Sequence, residues 1–246
     1  MVTRPREQAV ALAGLIESAG GQALRYPAIE IAVPENRSRL FGILDGLARF
    51  EMAIFISPTA VQEAFKLIRE RTAWPMHLRA VAVGPGTRRE LERHGLSSVL
   101  APASGADSEA LLAMPELARL AGRRVVIFRG AGGRKLLGES LVERGADVTY
   151  AECYRRRSPK TDFGRLAGEW EKGVDAVTVY SAGALANLFD MLPEPCRPRL
   201  GSTPLFVAHA RIAQEAARRG ARSVRVAGPG DEEMLAALVA YFLDAK

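Results

Sequence analysis

The chain has few cysteines, few lysines and no long apolar run, and each shortage removes a class of function. Cys153 and Cys196 are the only cysteines among 246 residues. Two thiols build neither a disulfide framework nor a cysteine zinc site. They read as free thiols of a reducing cytoplasm. No stretch of 18 uncharged apolar residues occurs, so no membrane partner or span is expected. The opening Met1-Val-Thr-Arg-Pro5 has no apolar core of the secretory kind. His77, His94 and His209 are not spaced as metal ligands, and no metal is expected. No Gly-Lys-Ser/Thr follows Gly84-Pro-Gly-Thr87, which rules out a Walker loop. Gly130-Ala-Gly-Gly133 lacks the third glycine of a dinucleotide fingerprint, because Lys135 stands there. No nucleophile elbow or catalytic triad can be assembled. RNP, zinc-finger and helix-turn-helix spacings are also missing, so no nucleic-acid partner is expected.

What is present is basic. Lysine plus arginine number 34 against 28 aspartate plus glutamate, a net charge of +6. Only Lys66, Lys135, Lys160, Lys172 and Lys246 are lysines, so arginine carries the excess. Arginine-favouring codon usage accounts for this without function. The functional reading is an anionic partner, such as a polycarboxylate. Apolar residues at 48% and charged residues at 25% are ordinary for a globular protein. The length suits one large domain or two of common size.

The chain also repeats itself. Gly20 ends an apolar helical pattern and so does Gly145 (145 − 20 = 125). Gly95 and Gly220 close two further helical patterns at the same offset (220 − 95 = 125). Ser57-Pro-Thr-Ala-Val61 with Phe65 matches Ser181-Ala-Gly-Ala-Leu185 with Phe189 (181 − 57 = 124). A period this long is no solenoid unit. It implies two similar α/β domains, and such pairs leave a cleft in which ligands bind.

Periodicity places the elements. Ala9, Leu12, Ala13 and Ile16 mark one helix face. A buried strand is expected over 52–56, then a helix over 58–71 that Trp74-Pro75 stops. A strand over 80–83 leads through Gly84-Pro-Gly-Thr87 into a helix ending at His94-Gly95. Asp107 caps another helix. The stretch 125–128 is the clearest buried strand, followed by a glycine-rich turn, a helix to Gly145, and an extended run over 148–151. Strands over 174–180, 205–208 and 223–227 each precede a helical pattern, and a final helix spans 231–243. Strands alternating with helices argue for parallel sheets covered on both faces. Functional groups then belong at the carboxyl ends of strands. By the repeat, the first strand should match 126–128, which makes it very short or cut short upstream.

Two extended stretches, 26–34 and 151–157, occupy equivalent places and read as linkers. The chain either crosses twice between domains, with one inserted in the other, or runs through two consecutive domains; periodicity does not choose. Ser57 and Ser181 stand where strands give way to helices, as good N-caps do, and such helix ends also bind anions. His94 sits at a helix end, where a partial positive charge suits the dipole. His209 lies in a strand-to-helix loop. Tyr154 stands in the second linker beside Arg155-Arg-Arg157. A linker tyrosine is usually packing, but a phenol can also donate a proton to a leaving hydroxyl at neutral pH.

Taken in order, several segments resemble the uroporphyrinogen-III synthase family. They are Val2-Thr-Arg-Pro5, Tyr26-Pro-Ala-Ile-Glu-Ile31, Ile56-Ser-Pro-Thr-Ala-Val61, Ala82-Val-Gly-Pro-Gly-Thr87, Phe128-Arg-Gly130, Tyr154, and Phe206-Val-Ala-His-Ala-Arg-Ile-Ala213. The resemblance covers nearly the whole chain. It implies an α/β fold of two similar domains, parallel sheets flanked by helices, joined by a two-stranded linker. It also favours insertion: residues 1–32 with 157–246 as one domain, 37–151 as the other, and 33–36 and 152–156 as linker strands. The implied site is the cleft.

The implied reaction closes the linear tetrapyrrole hydroxymethylbilane into uroporphyrinogen III, inverts ring D, releases water and uses no cofactor. Departure of the hydroxyl leaves an azafulvene that the substrate itself attacks; a spiro intermediate then breaks and recloses. The protein must bind eight carboxylates and shape the chain, and orientation can supply roughly 7–11 kcal/mol in favourable cases. By resemblance, Tyr154 assists the leaving hydroxyl, and Ser57, Thr87 and Ser181 present hydroxyls to substrate. Many members have a threonine where this chain reads His209-Ala-Arg211, so His209 or Arg211 is expected to bind a carboxylate instead. Nothing in the sequence demands a second copy, and a cytoplasmic monomer is expected. The competing reading is a non-enzymatic two-domain binder of a phosphorylated small molecule, which accounts for the charge but not for a linker tyrosine.

Overall fold

The computed structural model describes residues 1–159, 163–192 and 194–244. The chain divides into two compact units, 1–31 with 157–246 and 32–156. The first begins with helix α1 (Ala9–Ser18), whose Ala9, Leu12 and Ala13 are buried. Strand β1 (Glu30–Ala32) then carries the chain into the second unit.

The second unit runs through α2 (Arg37–Asp45), β2 (Met52–Phe55), α3 (Pro58–Arg71), β3 (Arg79–Ala82), α4 (Pro85–Arg93), β4 (Val99–Leu100), α5 (Ser108–Leu112), β5 (Arg124–Gly130), α6 (Leu136–Glu143) and β6 (Asp147–Arg157). Its sheet has the order β1-β6-β5-β2-β3-β4, and the ladders from β6 to β4 are parallel. All four residues of β2 and six of seven in β5 are buried. That is why both read as unbroken apolar runs: helices cover a parallel sheet on both faces. The expected separation between a strand over 148–151 and a linker over 152–156 does not exist, because pairing continues through both as one eleven-residue strand, β6.

The chain returns to the first unit through α7 (Phe163–Lys172), β7 (Val177–Val179), α8 (Ala182–Met191), α9 (Arg197–Ser202), β8 (Leu205–Val207), α10 (Ala210–Arg218), β9 (Val224–Val226) and α11 (Asp231–Asp244). Strands β7, β8 and β9 pair in parallel. Only three residues of the stretch 174–180 join a ladder, since Tyr180 already turns toward the cap of α8. The first strand is a single position: Val2 forms parallel bridges to Arg25 on one side and Thr178 on the other.

The repeat is visible in register. Across the second unit one row of paired residues reads Tyr150, Ile127, Ile54, Val81, Leu100. Across the first it reads Arg25, Val2, Thr178, Phe206, Arg225. The offsets are 125, 125, 124, 125 and 125. The glycines agree: Gly20, Gly145, Gly95 and Gly220 have φ of +85°, +89°, +93° and +93°. Each follows a helix, where a left-handed residue ends the helix and glycine alone adopts it freely.

His94 departs from expectation. It follows the last residue of α4, yet its ring stacks on Phe65 at 4.6 Å and its Nδ1 lies 2.7 Å from the Arg69 guanidinium. Burial, then the charge of Arg69, holds its pKa below the ordinary 6.5, against the pull of Glu90. It is therefore a neutral packed ring and not a charge at the helix end.

Candidate active site

Strand order reverses between β5 and β2, because their chain connections leave in opposite directions across the sheet. Ligands of open α/β sheets bind outside the carboxyl ends of strands at such a point. Here those ends are Gly130 and Ile56-Ser57.

Ser57 is the N-cap of α3. Its backbone is extended, and its Oγ accepts from the Ala60 N–H at 3.1 Å. Pro58 fills the first turn, where no N–H is needed. Tyr154 arrives from β6. Its hydroxyl lies 3.3 Å from Ser57 Oγ, and an Arg156 Nη2 donates to it at 3.1 Å. The Arg156 guanidinium also lies 5.4 Å from the ring centroid. Arginine has only donors, so the phenol oxygen accepts from Arg156 and its own proton is left for Ser57 or for a ligand.

Two features aim the ring. Pairing between β5 and β6 shifts register so that Arg129 faces Glu152 while Gly130 faces Tyr154, which leaves Cys153 as an extra residue. Such bulges re-aim side chains. The ring then lies over Gly130: a Cβ there would fall 2.7 Å from its Cε2 and Cζ. Cys153 turns inward, its thiol 3.3 Å from the Arg129 carbonyl, and burial pushes its pKa up to about 12. It is not a nucleophile.

The glycine-rich turn after β5 has a structural purpose. The buried Arg129 side chain donates to the carbonyls of Gly130 at 3.2 Å and Arg134 at 3.1 Å. A Cβ at residue 133 would collide with its Nη2. The turn wraps a guanidinium instead of a nucleotide. Thr87, on α4, is only 2% exposed.

The first unit has its own groups at strand ends. Ser181 caps α8, accepting from the Ala184 N–H at 3.1 Å. His209 stands at the start of α10 but makes no side-chain cap, and both it and Arg211 are exposed. Arg4, from the Val2-Thr-Arg-Pro5 segment, meets Tyr180 and Asp231 in a cluster. Tyr180 donates to Asp231 at 2.7 Å, and Arg4 reaches the same carboxylate oxygen at 2.5 Å while lying 4.3 Å over the Tyr180 ring. Burial, then the Asp231 bond, raises the Tyr180 pKa well beyond the tyrosine range, so it keeps its proton. Among the described residues no group of three or more metal-ligating side chains exists, and no helix is long and apolar enough to cross a membrane.

The family model described as uroporphyrinogen-III synthase HemD matches residues 10–236. The chain belongs to the uroporphyrinogen-III synthase family. It is 33% identical over 238 residues to the uroporphyrinogen-III synthase of Salmonella typhimurium, covering 96% of this chain and 97% of that one. The Escherichia coli enzyme of the same name is 32% identical over the same span and shares. The fold is also that of solved structures. A mutant uroporphyrinogen III synthase from Thermus thermophilus superposes with a TM-score of 0.63 at 20% identity, over 99% of this chain and 98% of that one. The Helicobacter pylori uroporphyrinogen-III synthetase gives 0.62 at 17%, over 91% and 94%. Membership in an enzyme family does not favour the reading as a non-enzymatic binder of a phosphorylated small molecule.

The second unit brings Ser57 and Tyr154 together from 97 residues apart. Arg156 was missed as part of that group. Its only sequence signal is membership in a three-arginine run, and nothing there separates it from its neighbours.

Proposed function

We propose that this chain is a uroporphyrinogen-III synthase that converts hydroxymethylbilane to uroporphyrinogen III with loss of water. The observation that carries the chemistry is the Tyr154 hydroxyl, placed at a reversal of strand order, 3.3 Å from Ser57 Oγ, with its oxygen accepting from Arg156. Tyr154 gives its proton to the departing hydroxyl, which leaves as water. The azafulvene so formed is attacked by the already substituted carbon of the substrate's terminal pyrrole, ring D, giving a spiro intermediate. One bond of that intermediate breaks and the freed fragment recloses at the other side of ring D, which inverts it. When the last pyrrole regains aromaticity it releases a proton, which restores the phenol, and the net loss is one water. Protein nucleophile, metal and cofactor have no step to perform.

Ser57 and Ser181 offer hydroxyls at helix starts, and the N–H groups there favour anions. His209 and Arg211 offer exposed polar groups at the start of α10, suited to carboxylates. Thr87 is enclosed, as Tyr154 is, and both hydroxyls reach substrate only after their surroundings open. The net charge of +6 supports a polycarboxylate ligand. The buried thiols of Cys153 and Cys196 suit a reducing cytoplasm. We take the working form to be a monomer without nucleic-acid or membrane partners, which sedimentation analysis checks.

The deciding experiment is a product assay. Hydroxymethylbilane is generated in situ, the protein is added, and the oxidised uroporphyrin isomers are separated by chromatography. Predominance of isomer III is expected. Isomer I alone, from folded protein, would mean spontaneous closure and would remove the proposed activity.

A further inference from the structure

The three arginines that end β6 are not used alike. Arg155 is paired with Glu35, and Arg157 meets the Glu30 carboxylate at 2.7 and 3.1 Å. Side chains alternate along a strand, so Arg156 leaves on the side of Tyr154. It has no carboxylate partner among the described residues; its contacts are the Tyr154 hydroxyl at 3.1 Å and the Tyr154 ring. Arg156 is exposed, whereas Tyr154 is only 1% exposed. An unpaired guanidinium is thus the outer partner of an enclosed phenol.

That arrangement is a poor resting place for arginine. A neutral hydroxyl takes one N–H of the five, while a carboxylate takes two in the planar fork and forms bonds about twice as strong. We propose that Arg156 binds a carboxylate of the tetrapyrrole substrate, and that this exchange draws it off Tyr154 and opens the phenol to the leaving hydroxyl. The inference rests on the activity proposed above and assigns a binding residue to it. It accounts for a proton donor that is covered when substrate is absent. It also accounts for the one member of the arginine run that lacks an acid.

Steady-state kinetics of Arg156→Met and Arg156→Lys, each also in a Tyr154→Phe background, test the idea. Loss of a charge-assisted bond should raise KM about 10-fold or more in Arg156→Met. Lysine keeps the charge but loses the fork, so Arg156→Lys should recover part of that change. The rise in KM should persist when Tyr154 is phenylalanine, because it reports carboxylate binding. Thermal melts check that each variant folds, as expected for an exposed side chain. If Arg156 merely steadies the ring, Arg156→Met will lower kcat at unchanged KM, the effect will vanish in the Tyr154→Phe background, and the inference is overturned. A wild-type protein that yields isomer I alone removes the activity and this inference together. Isomer III from the wild type with an unchanged KM in Arg156→Met removes the inference alone.

Discussion

Gly130 and Tyr154 are a single device at the residue scale. The ring occupies the space where a side chain at 130 would stand, and the nearest approach of an added Cβ would be 2.7 Å. Gly130→Ala must therefore push the phenol away from Ser57 and Arg156. We expect it to lower turnover to near the level of Tyr154→Phe, which itself should fall about 10- to 100-fold, at or below the usual range for general acid catalysis. The double variant should be little worse than either single one, since both remove the same placed hydroxyl. Turnover of Gly130→Ala close to wild type would show that the ring position is not needed. The serine cap can be named from sequence because it has a local signature; Tyr154 is singled out only through the family resemblance. The bulge at Cys153 and the turn of Arg156 toward the phenol cannot be named from sequence. Both depend on the register of two strands, and register is a property of the pair.

At the scale of elements, helix ends are the most legible features. Glycine after an apolar helical pattern has one physical reason to recur, and all four glycines of the repeat have positive φ. Gly95 and Gly220 have nothing within 4 Å of the place a Cβ would take. A change to alanine at either should therefore cost only the left-handed backbone penalty, about 1–2 kcal/mol. Chemical denaturation of Gly95→Ala and Gly220→Ala should give similar losses; a loss in one and none in the other would mean that the two helix ends are not equivalent. Strand ends are less legible. The stretch 174–180 is mostly apolar in sequence, but only Val177–Val179 joins a ladder. The charge of His94 is illegible for a related reason. Its position at the end of α4 is plain, while the Phe65 ring and the Arg69 guanidinium that decide its protonation come from α3.

For the whole molecule, the repeat has an asymmetric consequence. Two units share one pattern of pairing, residue for residue, yet only one is continuous in sequence. Residues 32–156 hold every strand of their sheet except β1, which enters from the edge. The central ladders, β6-β5-β2-β3-β4, lie entirely within that segment. Their core is closed by its own helices: Met52, Ile54, Val81, Val125 and Ile127 pack with Leu111, Leu137 and Leu141. A segment of this size with its own core should fold alone. The other unit is assembled from both ends of the chain. Without residues 1–31 it loses Val2 from between its ladders and Leu12 from beneath α11, since Val2 and Leu12 share a core cluster with Phe206, Met234 and Leu238. Expressed separately, residues 32–156 should show a cooperative thermal transition and dispersed amide resonances, while residues 157–246 should show neither until the peptide 1–31 is added. A fragment 32–156 without a cooperative transition would mean that the central sheet depends on the rest of the chain. Recovery of order in 157–246 without the peptide would mean that Val2 and α1 are dispensable, and the register shared by the two units would then be a likeness of form without a likeness of stability.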